Sequence, residues 1–143
     1  MRFILHIFIF LVLVNSSSAF AQNQKDKVEA LRVDYITKRV ELSSAESEKF
    51  WPIYNEYNDK IKAIRKNLRQ SYRKGPENLS DQESEQLYIL FVQSKQAEVD
   101  VHKQYNDKLK VIIGARKMVK LHLAEEEFRM KVMRSLNPKG EGE

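Results

Sequence analysis

Beyond the first twenty-one residues the chain holds two histidines, His102 and His122, and it has no cysteine anywhere. His102 follows Glu98 by four positions, and His122 precedes Glu125 and Glu126 by three and four. On a helix each histidine would share a face with a carboxylate, an arrangement that a transition metal can accept. Neither sits in a Glu-x-x-His pair, the spacing with which helical bundles hold two irons, so no metal ligand is assigned. The missing cysteine removes thiolate zinc sites, disulfides and thiol nucleophiles together. There is no Gly-x-Ser-x-Gly elbow and no glycine-rich phosphate loop. These residues point to a protein that binds rather than catalyses, with no cofactor.

The strongest binding signal is positive charge. Lys62, Arg65, Lys66, Arg69 and Arg73 recur at helical spacing, with Lys60 and Lys74 nearby, next to the apolar series Ile61, Ile64 and Leu68. Such a stripe is a solvated face whose cations also favour a helix C-terminus. It is equally a surface that attracts acidic, partly unfolded chains, because lysine and arginine stems add apolar contact to charge. Met118, Met130 and Met133 offer either gap filling or an adaptable apolar surface. Nucleic acid is not an expected partner, since the chain has the marks of an exported protein and carries no recognised nucleic-acid motif.

The elements that position these residues begin with an address label. Met1-Arg2, the apolar run Phe3 to Val14 interrupted by His6, and Ala19-Phe20-Ala21 follow the charged, apolar and small-x-small order of a secretory signal peptide. Residues 1–21 are assigned to it, with a mature chain starting at Gln22. The apolar run is shorter than the roughly 20 residues a bilayer span needs, so no stable membrane insertion is expected after processing. Loss of Arg2 leaves the charge one below the full chain's +5. Four glycines, three prolines and 31% charged residues favour long solvated helices in one domain, residues 22–138, followed by a polar tail, 139–143.

Apolar periodicity predicts helices throughout. Val28, Leu31, Tyr35 and Ile36 mark a short one over residues 25–40. Ser43 and Glu46 form a capping box ahead of a long one whose seam is Phe50, Tyr54, Tyr57, Ile61, Ile64, Leu68 and Tyr72, ended by Gly75-Pro76. Pro52 falls inside this helix, removes one backbone bond and should bend the axis. Ser80 and Glu83 repeat the capping box, and Leu87, Leu90, Phe91, Ala97, Val101, Tyr105, Leu109 and Ile112 mark the next buried face. Gly114 interrupts before a last helix over 115–136 that presents Met118, Leu121, Ala124, Phe128 and Val132. A connection of about five residues makes the two long helices antiparallel. Their narrow apolar stripes call for a second layer, which a partner subunit can supply.

The stretch Leu42 to Tyr57, reading LSSAESEKFWPIYNEY, resembles the Spy/CpxP-like periplasmic proteins, whose signature is Leu-Thr-x-x-Gln at a helix start. Leu42, Ser43 and Glu46 occupy the motif positions, and Phe50, Trp51, Pro52 and Tyr54 belong to an element similar to the branch found in secreted proteins of Bacteroidetes-type bacteria. The chain departs from the family in reading Leu42-Ser43-x-x-Glu46, in lacking a second motif before the last helix, and in placing Leu79-Ser80-x-x-Glu83 one helix earlier. The resemblance implies an all-α fold: a four-helix, antiparallel helical hairpin with flanking shorter helices, assembled as a curved homodimer. It implies periplasmic, ATP-independent chaperone activity toward unfolded or partly folded exported proteins. In this branch it also implies an alternative role as an envelope-stress sensor, metal-responsive in some relatives, whose partner is an envelope signalling protein linked to an extracytoplasmic sigma factor or two-component system.

Overall fold

The computed structural model describes residues 26–136 of the chain, and these are helical apart from short turns. The expected signal peptide and the polar tail lie outside the described residues. Helix α1 covers residues 26–40, α2 spans Ser44–Ser71, and α3 spans Asp81–Leu136. No strand occurs among the described residues, and no helix there is long and apolar enough to cross a membrane. Contacts divide the chain into two compact units. One is residues 41–120; the other joins, among the described residues, 26–40 with 121–136.

Within residues 41–120 the helix starts follow the expected chemistry. The Ser43 hydroxyl accepts from the Glu46 amide at 3.2 Å, and the Ser43 amide donates to the Glu46 carboxylate at 2.7 Å, closing a reciprocal capping box. Ser80 and Glu83 repeat it at 3.3 and 2.9 Å. Helix α2 ends at Ser71, earlier than the expected Gly75-Pro76 stop. The Ser71 hydroxyl donates to the Asn67 carbonyl, competing with the backbone ladder, and two 3-10 turns, Tyr72–Lys74 and Pro76–Asn78, carry the chain to α3. Gly75 takes φ 74° between them, a conformation that other residues rarely adopt.

The core of this unit is aromatic on one side and mixed on the other. Phe50, Tyr54, Tyr57 and Ile61 of α2 are buried, as are Tyr105, Leu109 and Ile113 of α3. Phe50 stacks on Tyr54 with centroids 5.1 Å apart, Trp51 meets both edge-on, and Tyr57 lies 6.0 Å from Tyr105. Pairs across the two helices run in opposite order along the chain. Glu56 meets Tyr105, Tyr57 meets His102, and Arg65 meets Glu98, so the helices are antiparallel as expected. Ile64, Leu68, Leu87 and Leu90 toward the turn are only half-buried. Three expected core positions are corrected: Tyr72 and Phe91 are exposed, and Ile113 takes the inward place assigned to Ile112. The seam instead turns polar, with buried Ser94 and Glu98 continuing the row from Leu87 and Leu90 to Tyr105.

Gly114 breaks α3 as expected, with φ 73° and ψ 164°. Met118 is the buried residue that follows it.

The second unit pairs α1 with the end of α3. Ile36 and Val40 are buried, as are Leu121 and Ala124, while Tyr35 packs against Phe128 at 5.7 Å. The Tyr35 hydroxyl donates to Glu127 at 2.6 Å, the Arg39 guanidinium also bonds Glu127, and Lys131 sits over the Tyr35 ring at 4.3 Å. Val28 and Leu31 were expected inside but are exposed; the inward row of α1 runs through half-buried Val33 to Ile36 and Val40. The error is one of phase. A short helix with six large apolar or aromatic residues admits two overlapping stripes, and burial selects the one containing Val33 and Val40.

Candidate binding face

The basic stripe lies on the outside of α2. Lys62, Arg65, Lys66, Arg69 and Arg73 are all exposed. Their environments differ. Arg65 leans across the seam and donates to the Glu98 carboxylate from Nη2 at 2.9 Å and Nε at 3.2 Å. This hydrogen bond holds the Glu98 carboxyl below its ordinary value against the opposing effect of burial. Lys62 lies 3.7 Å from Asp59, a loose exposed pair. Lys66, Arg69 and Arg73 make no ion pair among the described residues. Arg65 is therefore part of the seam, and the free cations of the stripe are the other three.

Beside them α3 exposes apolar side chains that periodicity did not single out. Tyr88 is 63% exposed, Val92 47% and Val99 58%, and Ile89 is also open to solvent, as is Phe91, which periodicity had placed in the buried row. Lys95 stands within this row, its ammonium 5.7 Å from the Phe91 ring centre. Both rows are one residue past the buried row of their helix: Lys62 follows Ile61, Arg69 follows Leu68, Tyr88 follows Leu87, and Val99 follows Glu98. In antiparallel helices the flank one residue past the seam falls on the same side of both, because each helix turns right-handed about opposite directions. Cations and apolar groups thus share one face of this unit.

The residues of the sequence motif do structural work here. Leu42 is half-buried, Ser43 and Glu46 cap α2, Phe50 and Tyr54 fill the core, Trp51 is half-buried over them, and exposed Pro52 leaves the Glu48 carbonyl without its helical donor. Lys117 adds a tie that sequence spacing does not reveal. Its ammonium donates to the Glu41 carbonyl at 2.8 Å and to the Glu46 carboxylate at 2.6 Å. Lys117, followed by the two Ser43 bonds, holds Glu46 down at about 2. Glu41 itself adopts φ 59°, an unusual conformation for a residue other than glycine or asparagine, and its carboxylate pairs with Lys120 at 2.8 Å.

The histidines are engaged with protein groups. The Tyr57 hydroxyl lies 2.9 Å from His102 Nδ1, and Glu98, four positions earlier, is taken by Arg65. His122 Nδ1 lies 3.5 Å from Glu125. No group of three potential ligands gathers among the described residues. Glu98 and Ser94 were legible in principle, because steps of four and three from Leu87 through Leu90 to Tyr105 pass through both positions. Comparison with known proteins brings no relative: no family model matches the chain, no curated protein matches it, and no solved structure matches it.

Proposed function

We propose that this is a periplasmic, ATP-independent chaperone-like protein of the Spy/CpxP-like type, binding unfolded or partly folded exported proteins as a homodimer. The observation that carries this is the mixed face of residues 41–120, where exposed Tyr88, Val92 and Val99 lie beside the unpaired cations Lys66, Arg69 and Arg73. Exposed apolar groups next to charge are what capture of non-native polypeptide requires: charge gives fast, screened attraction and apolar contact gives residence. The signal-peptide pattern at the N-terminus and the order of helices around the Leu42-Ser43-x-x-Glu46 motif support the same conclusion.

The test is aggregation of several unrelated unfolding proteins in the presence of the purified chain without ATP. Protection at up to equimolar amounts is expected. Replacing Lys66, Arg69 and Arg73 by glutamate should weaken it most at low salt, since exposed charges are screened over about 10 Å at 0.1 M. Arg65 is left in place because its reversal would set a second carboxylate against buried Glu98. Unchanged protection by the triple variant at every salt concentration refutes the role of the face. Saturable binding of one envelope protein without protection of others would assign the sensor role instead.

A further inference from the structure

The two rows on the mixed face are matched in spacing as well as in side. Lys62, Lys66, Arg69 and Arg73 follow steps of four, three and four, and Val99, Lys95, Val92 and Tyr88 follow the same steps in reverse. Glu56 meeting Tyr105 and Arg65 meeting Glu98 fix the levels of the antiparallel pair. At those levels Arg73 stands near Tyr88, Arg69 near Val92, Lys66 near Lys95, and Lys62 near Val99. The result is a cationic rail on α2 and an apolar rail on α3, each about 16 Å long at 1.5 Å per residue, separated by the roughly 8–10 Å between packed helices.

Two rails with a repeat of four and three over a shallow interhelical groove match a third helix. An extended strand, rising about 3.3 Å per residue with alternating faces, would fall out of step within one turn. The charge distribution says which helix. Four cations line one rail, while the other carries a single lysine, Lys95, and its far edge carries Glu85 and Gln96. An anionic membrane surface favours cations on both sides of an apolar strip, whereas a helix with a single acidic edge needs them on one. We propose that this face docks an amphipathic helix of another protein, with its apolar stripe on Tyr88, Val92 and Val99 and an acidic edge against Lys62, Lys66, Arg69 and Arg73. Lys95 interrupts the apolar rail at its middle and demands a polar or acidic residue at that layer, which fixes the register of the bound helix. This proposal rests on the binding role given above and narrows its partner from unfolded chains in general to acidic amphipathic helices.

The experiment uses the full chain and synthetic peptides of about 18 residues, the length of recognised helix-in-groove ligands. One peptide places leucines at four-three-four steps with glutamates along one edge. A second has the same composition scrambled, a third replaces glutamate by lysine, and vesicles of mixed phosphatidylglycerol and phosphatidylcholine form the last arm. The patterned acidic peptide should bind at least about tenfold tighter than the scrambled and basic ones and gain helicity on binding, as read by anisotropy and circular dichroism. Val92→Asp should remove that tenfold advantage while the chain's own helicity is unchanged. Equal binding of the scrambled peptide overturns helix docking but leaves general capture of polypeptides standing. Preference for vesicles over every peptide overturns it in favour of lipid. Failure to bind any peptide, together with failure to protect unfolding proteins, removes both this proposal and the function it rests on.

Discussion

Two neighbouring residues near the end of the first segment of α3 give the most direct test of how this helix is seated. Ile113 is 6% exposed and Val111 is 88% exposed, although both are β-branched and apolar and Ile112 lies between them. Ile113→Ala deletes three buried carbons, worth about 2.4 kcal/mol at 0.8 kcal/mol each. The cavity left beside Leu109 raises the loss to about 3 kcal/mol. Val111→Ala deletes two carbons that are mostly in water and replaces a β-branched residue by the best helix former, so its effect should lie within about 0.5 kcal/mol of zero. Urea unfolding followed by circular dichroism separates the two: with a slope of about 1–3 kcal/mol per molar, Ile113→Ala should shift the midpoint by roughly 1–3 M and Val111→Ala hardly at all. A loss under about 1 kcal/mol for Ile113→Ala, or a larger loss for Val111→Ala, would mean that the helix is rotated from the seat described above.

Arg65→Ala should destabilise by about 1–3 kcal/mol because it strips a largely buried carboxylate of both its hydrogen bonds, whereas Glu98→Leu, which continues the apolar row, should be neutral or stabilising in the same urea assay; the reverse order would refute the seam. Ser43→Ala should lower stability by about 1 kcal/mol through loss of the α2 cap, and an unchanged unfolding midpoint would place the helix start elsewhere. Glu46 and Glu83 are both held at about 2, the first mainly by Lys117 and the second mainly by Lys74, against an ordinary 4.5. Their lowered values give stability that is present above pH 4.5 and lost as pH falls from there toward 2, so a Glu46→Gln, Glu83→Gln double variant should show a flatter midpoint across that window, and an unchanged slope contradicts it. Tyr105 is pushed up to about 12, first by burial and then by its bond to Glu56, so stability from its neutral form should persist to pH 10 and fade toward 12. Absorbance titration of wild type against Tyr105→Phe should reveal a phenol ionising near 12, and one ionising at 10 would contradict its burial.

Much of the helical layout can be read from the sequence, and the places where it cannot are physically distinct. Both capping boxes are legible because Ser43 and Ser80 each stand three residues before a glutamate, a purely local pattern. Gly75 and Gly114 are legible as interruptions for the same reason. Ser94 and Glu98 fall on the helical steps of the seam, but burial of the Glu98 carboxylate depends on a partner from another helix, Arg65, which no local pattern reveals. The phase of α1 is missed since Val28, Leu31, Val33, Tyr35, Ile36 and Val40 cover more than one face, and only packing against Leu121 and Ala124 decides among them. The basic rail is visible as a run of like charge. The apolar rail is hidden among residues that look like core formers, and only its exposure sets it apart.

Gly114 has a further effect on how this chain can change over generations. A Cβ placed there would meet nothing within 4 Å, so glycine is kept for its dihedrals alone. Ile113 and Met118 are both buried, yet an unbroken helix would set residues five apart about 140° around the axis. The extended geometry at Gly114 absorbs that mismatch. A residue gained or lost beside it can be taken up by the same break, leaving Tyr105 and Leu109 inward on one side and Met118 inward on the other. The same insertion two turns earlier, between Tyr105 and Leu109, would rotate exposed Lys108 into the buried place of Leu109. Length variation in descendants of this sequence should therefore collect at residue 114 and in the turn around Gly75, and avoid the segment from Ser94 to Ile113.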